Sequence, residues 1–185
     1  MQGWLAVRVV GGVAAVGLLS GCGGGASEGK AVEPVPAVSA APSAVAPDAG
    51  ERAAVLAAYR AMAAAEVRTY ASGALDAELE RYATHTALAD IKATLFWYQQ
   101  RGIVMKGEPV HSPAVDSLDA SGDPLRAVIT DCVDSTGYDK VGKDGNPVGA
   151  APSGPRRHVV TSSAQRTKSG SWLVYTSTVE RDRTC

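Results

Sequence analysis

Apolar residues along the middle of the chain recur first at three- and four-residue steps and then at steps of two. Val55, Leu56, Tyr59, Met62, Ala63, Val67 and Tyr70 predict a long amphipathic helix over 51–72, with Gly73 as its natural stop. Asp76 is placed to cap a short second helix carrying Leu79 and Tyr82. A third helix opens at Thr84 or Thr86, aligns Leu88, Ile91, Leu95 and Tyr98, and ends at Gly102. Phe96-Trp97-Tyr98, the one aromatic cluster, reads as core or helix–sheet packing.

Beyond Gly102 the period is that of strands. Ile103 to Met105 and Val110 to Leu118 form one interrupted strand or two short ones, which Pro109 and Pro113 confine to an edge or a bulge. Leu125 to Tyr138 reads as the next strand, and 139–155 as a loop with strong turn chemistry at Lys143-Asp144-Gly145-Asn146-Pro147. His158 to Lys168 follows, polar on both faces, and Ser169-Gly170 turns the chain into Trp172 to Arg181. Helices first and strands after them predict an α+β domain over 51–185.

The ends of the pattern are different. Val9 to Leu19 is an apolar run preceded by a single charge, Arg8. Eleven residues are too few to cross a bilayer core, which takes about 20. Leu19-Ser20-Gly21-Cys22 closes the run and resembles the bacterial lipoprotein signal. That resemblance implies diacylglycerol on the Cys22 thiol, cleavage before it, and a signal peptide over 1–21. It places the protein at the cell membrane, lipid-anchored on the extracytoplasmic face, with the membrane as its first partner. Residues 22–50, rich in Pro, Ala and Gly and lacking apolar periodicity, read as a disordered tether.

Charge and cysteine count narrow the picture. Residues 1–21 contain one of the 18 basic residues and none of the 19 acidic ones, so the remainder carries −2 with His neutral. No basic run exists to neutralise phosphates, which argues against nucleic acid, and Arg156-Arg157 reads as a solvated pair. Setting Cys22 aside leaves Cys132 and Cys185, an even number in an exported chain and therefore one expected disulfide.

Gly102-Ile103-Val104, Asp131-Cys132-Val133-Asp134, Gly170-Ser171-Trp172-Leu173-Val174 and a terminal Cys185 together resemble a group of actinobacterial secreted proteins and lipoproteins. Their fold is nuclear-transport-factor-2-like. The resemblance implies three N-terminal helices packed on a curved antiparallel sheet that wraps a cone, and it implies the Cys132–Cys185 bond a second time. Enzymes of that fold, such as ketosteroid isomerases and polyketide cyclases, place an acid or base inside the cone.

The candidates for such a group are Asp131, Asp134, Glu180 and Asp182, with His85, His111 and His158. Asp131 and Asp134 are an odd step apart and point to opposite faces of a regular strand, so they cannot form a dyad. The carboxylates read as surface groups and the histidines as exposed or singly bonded. None has the spacing of a zinc set, and no nucleophile elbow is present. No catalytic residue, metal or cofactor is assigned. The sequence therefore predicts a non-catalytic domain that binds a small-molecule ligand or an envelope protein. The alternatives are a cyclase- or isomerase-like enzyme and an accessory subunit of a membrane or secretion complex.

Overall fold

Helix α1, Ala49–Ser72, begins directly after Asp48, whose carboxylate holds Arg52, one turn on, at 2.7 Å. Its buried stripe is Val55, Ala58, Tyr59, Met62, Ala63, Ala65, Thr69 and Tyr70, and the alanines let its backbone lie close to what it covers. Thr69 is fully buried yet satisfied. Its hydroxyl donates to the Ala65 carbonyl and accepts from the Asp76 backbone N–H. Gly73 closes the helix in the left-handed conformation at φ 68°, with its N–H on the Thr69 carbonyl. A computed structural model describes residues 48–150 and 152–185, and the expected signal peptide, Cys22 and the expected tether up to residue 47 lie outside the described residues.

Among the described residues there are two α-helices and six strands. Helix α2 spans His85–Arg101 and ends at Gly102, again left-handed. The strands are β1 Ile103–Lys106, β2 Val110–Asp119, β3 Arg126–Asp134, β4 Asp139–Gly142, β5 Arg157–Arg166 and β6 Trp172–Glu180. Strands β2-β3-β5-β6 form one antiparallel sheet, and β1 pairs with β4 in a separate two-stranded sheet. No described helix is long and apolar enough to cross a membrane.

This corrects the expected architecture. The expected second helix is a single 3-10 turn, Leu79–Arg81, so among the described residues two α-helices, not three, precede the strands. The strands do not form one curved meander wrapped into a cone, because the chain breaks at two corners and divides into two sheets. One corner is Ser135–Gly137, where the expected long strand ends. Asp134 accepts from the Thr136 N–H, and the Arg156 guanidinium clamps the Ser135 and Tyr138 carbonyls. Arg156 is thus a structural residue and not a solvated one. The other corner is Gly107, at φ 84°. A Cβ there would lie 1.9 Å from the Gly137 carbonyl oxygen, so only glycine fits.

The four-stranded sheet buries one face under α1. Ala127, Ile129 and Asp131 of β3 lie beside Ala164, Ser162 and Val160 of β5, in register. Glu51, in the first turn of α1, accepts from the Trp172 indole at 2.9 Å and pairs with Arg166 at 2.9 Å, pinning the helix to the β5–β6 hairpin. The central cluster runs from Val55 to Val174, so a chain beginning at residue 22 keeps the whole core. Edge strand β2 keeps His111, Pro113 and Val115 inward, and an irregularity at Asp116 shifts the phase so that Leu118 is the next inward residue. The disulfide joins Cys132 of β3 to Cys185, with Cα atoms 5.9 Å apart.

Candidate functional site

Where α1 crosses β3, a carboxyl lies inside the protein. Asp131 is fully buried, against the expectation that it lies at the surface. The β2–β3 register sets it opposite Pro113, two pairs in from His111–Val133 and on the same face. Its Oδ2 accepts from the Tyr59 hydroxyl at 2.9 Å and from His111 Nδ1 at 2.5 Å, and its Oδ1 accepts from the Ser112 N–H at 2.6 Å. A carboxylate taking three donors is the ordinary way to keep such a group inside a protein. Burial, and then the adjacent Asp131 charge, push the Tyr59 phenol far above its usual range. Ser162, beside that phenol and almost fully buried, donates its hydroxyl to Ser177 Oγ at 3.1 Å.

With Nδ1–H pointed at Asp131, Nε2 is the ring nitrogen of His111 left for another partner. The ring is one-quarter exposed, so this nitrogen belongs to a group that solvent reaches. A histidine held in one tautomer by a buried carboxylate can take up a proton or accept a hydrogen bond from a ligand.

A second acid faces the same histidine. Glu66 lies one turn along α1 from Met62, and burial pushes its carboxyl up, while a bond to Tyr70 and the His111 ring pull it back. Although the residue is half-buried, its carboxyl is closely surrounded by protein. Tyr70 and Tyr98 pack edge to face at 5.4 Å. Burial first, and the Glu66 charge second, raise the hydroxyls of Tyr70, Tyr98 and Tyr138. The Tyr138 hydroxyl is buried and has no hydrogen-bond partner among the described residues. Glu66 was not among the sequence candidates. Its signal was an acid on the buried stripe of α1, between Met62 and Tyr70.

The sign of the Glu66 shift gives a pH dependence. The folded state holds the proton to higher pH than the unfolded chain, whose glutamate titrates near 4.5. Stability from this group is complete below that value and declines as pH rises towards the raised folded pKa. Glu66→Gln is expected to raise Tm at pH 7 and to leave it near the wild-type value at about pH 4. Thermal unfolding at the two pH values measures this, and an equal change at both would remove the buried-acid assignment.

The remaining candidates are elsewhere. Asp134 turns outward, capping Thr136, while Glu180 is half-buried and Asp182 exposed at the C-terminal end. His85 is exposed and stacks on Tyr175 at 4.5 Å, and His158 has a buried Nδ1 with no partner among the described residues. Of the seven sequence candidates the structure brings together Asp131 and His111.

The aromatic cluster also differs from expectation. Tyr98 is core, but Phe96 is 62% exposed and Trp97 40% exposed. At 100° per residue these two rotate off the Ile91–Leu95–Tyr98 stripe. Trp97, Tyr98, Thr94, Ala93 and Lys140 line a shallow cleft of about 420 Å3. Tyr98 belongs both to this cleft and to the tyrosines that the Glu66 charge raises, and Thr94 lies beside Tyr70. A larger cleft, about 670 Å3, lies at the opposite end of the sheet between Asp123–Leu125 and the β5–β6 turn, away from Asp131 and His111.

No protein-family model and no curated protein matches the chain. Among solved structures it is similar to the intermembrane-space region of the chloroplast protein ARC6. The two are 13% identical with a TM-score of 0.45, covering 69% of this chain and 95% of that one. Likeness at that level carries no argument.

Proposed function

We propose that this chain is a lipid-anchored domain on the outer face of the cytoplasmic membrane that holds a small polar ligand, without turnover, at Glu66, His111 and Tyr138. The observation that supports binding is the buried, unpartnered Tyr138 hydroxyl, which feels the charge of an acid whose burial favours its neutral form. A buried donor left unpaired costs about 1–3 kcal/mol, which a ligand oxygen would recover. The extracytoplasmic address is supported by Leu19-Ser20-Gly21-Cys22 and by a disulfide, a bond that persists in oxidising compartments.

Expression of the full chain in a bacterial host, followed by fractionation and mass spectrometry, tests both halves. The wild type is expected in the membrane fraction with the mass of a diacylglycerol on Cys22, and Cys22→Ser is expected to be released or to stall unprocessed. Unchanged membrane retention of Cys22→Ser defeats the anchor. Native spectra of the wild type should carry a small-molecule mass that Tyr138→Phe lacks, and identical spectra defeat the ligand site. The Asp131–His111 pair favours a second reading, acid–base catalysis. Turnover of that co-purified molecule, abolished by His111→Gln, would put an enzyme in place of the binding domain.

A further inference from the structure

The chain has one phenylalanine and three tryptophans, and the phenylalanine and one of the tryptophans are side by side on the surface of α2. Trp172, by contrast, is 4% exposed within the core. Exposing two large rings at adjacent positions sacrifices apolar burial that a folded domain of this size would otherwise use. Their neighbours are cations. The Arg101 guanidinium stands 4.1 Å from the Trp97 ring centroid, and the Lys140 ammonium, reaching from β4, stands 5.3 Å away. Among the described residues neither cation has a carboxylate at ion-pair distance. From Lys92 to Arg101 the helix has no acidic residue at all.

We infer that this face of α2, with Lys140, is a docking surface for an anionic lipid bilayer. Indole rings favour the headgroup level, where the apolar body and the polar N–H are both accommodated. A phenyl ring beside it reaches the acyl boundary, and basic side chains on the flanks meet lipid phosphates. The charge complementarity selects an anionic surface. The two cations lie on the indole, where phosphates would supply the counter-charge that the protein does not. A protein partner of the same chemistry would need an acidic, aromatic-accepting groove, whereas a bilayer needs only an exposed patch of rings and cations. The proposal rests on the membrane-anchored reading only for proximity. The sequence puts Cys22 ahead of the domain by a Pro/Ala/Gly-rich segment, so a bilayer would be within reach of α2.

The test uses residues 22–185 with Cys22→Ser, a chain that keeps the whole core and bears no acyl group, so its outcome is separate from that of the anchor experiment. Vesicles of 30% phosphatidylglycerol in phosphatidylcholine, and of phosphatidylcholine alone, are sedimented with the protein. Partition to the anionic vesicles is expected, with about tenfold weaker partition for Phe96→Ser/Trp97→Ser and loss of the anionic preference for Arg101→Glu/Lys140→Glu. Should the first variant fail to fold, the second, which changes only exposed ends, answers the same question. Binding no stronger to anionic than to neutral vesicles overturns the inference. So does unchanged partition of the double aromatic variant, or equal capture by soluble dextran sulfate that survives loss of both rings, which would mark a polyanion site.

Discussion

Asp131→Ala is expected to cost the fold about 3 kcal/mol, the scale for removing one partner of a buried hydrogen-bonded charge. The loss falls unevenly on the three donors. Ser112 is exposed and the His111 ring partly so, and water can replace Asp131 for both. Tyr59 is 2% exposed, so its hydroxyl keeps only Ser162 as a neighbour, and the cavity left by the carboxyl adds to the penalty. Asp131→Asn is milder, about 1–2 kcal/mol, because its amide oxygen can still accept from Tyr59. That oxygen, at the Oδ2 position, also accepts from His111 Nδ1–H, so the ring tautomer is expected to stay as it is, and the NH2 group instead faces the Ser112 N–H. Denaturant unfolding measures the stabilities, and nitrogen chemical shifts of the imidazole report the tautomer. An Asp131→Ala protein as stable as wild type would mean that the network carries no stability.

Reducing the Cys132–Cys185 bond, or replacing both residues by serine, is expected to lower stability by about 2–4 kcal/mol. The two residues are 53 apart in sequence, so the bond removes a long loop's closure entropy from the unfolded chain. Little else holds the tail. Arg181 to Cys185 are all exposed, and the main-chain contact that ties them to β5 is Val159 N–H to the Arg183 carbonyl at 3.3 Å. Hydrogen exchange should therefore rise first at Val159. Next affected is Ser112, whose N–H bonds Asp131, the neighbour of Cys132. Thermal unfolding with and without reductant settles the magnitude, and an unchanged Tm with two free thiols confirmed by mass spectrometry would refute it.

Much of this fold is legible from spacing. The stripes of α1 and α2 and their glycine stops follow from local rules, as do the β5–β6 hairpin and the edge position of β2 signalled by Pro113. What escapes is non-local. Strand β4 is four residues with a single buried one, Val141, and exists because β1, more than thirty residues earlier, pairs with it. The segment around Leu79 carries helical spacing but is too short to sustain more than one 3-10 turn. Splitting the strands into two sheets depends on the Gly107–Gly137 approach, which no periodicity encodes. At the site, Asp131 and His111 could be named separately, but their pairing required the β2–β3 register. Glu66 was hidden by sitting on a stripe where an acid is not expected. Phe96 and Trp97 lie at the surface because helical phase, not aromatic content, decides which side of α2 is buried.

The two outer strands of the four-stranded sheet, β2 and β6, are also the two that depart from regular pairing, at Asp116 and at Tyr175. An unbroken outer strand offers a continuous row of backbone donors and acceptors to a second copy of the chain. Copies concentrated in the plane of a membrane would meet one another far more often than copies in free solution. The interruptions on both sides, with Pro113 on one of them, deny such a neighbour a template, so crowding need not lead to strand-by-strand aggregation.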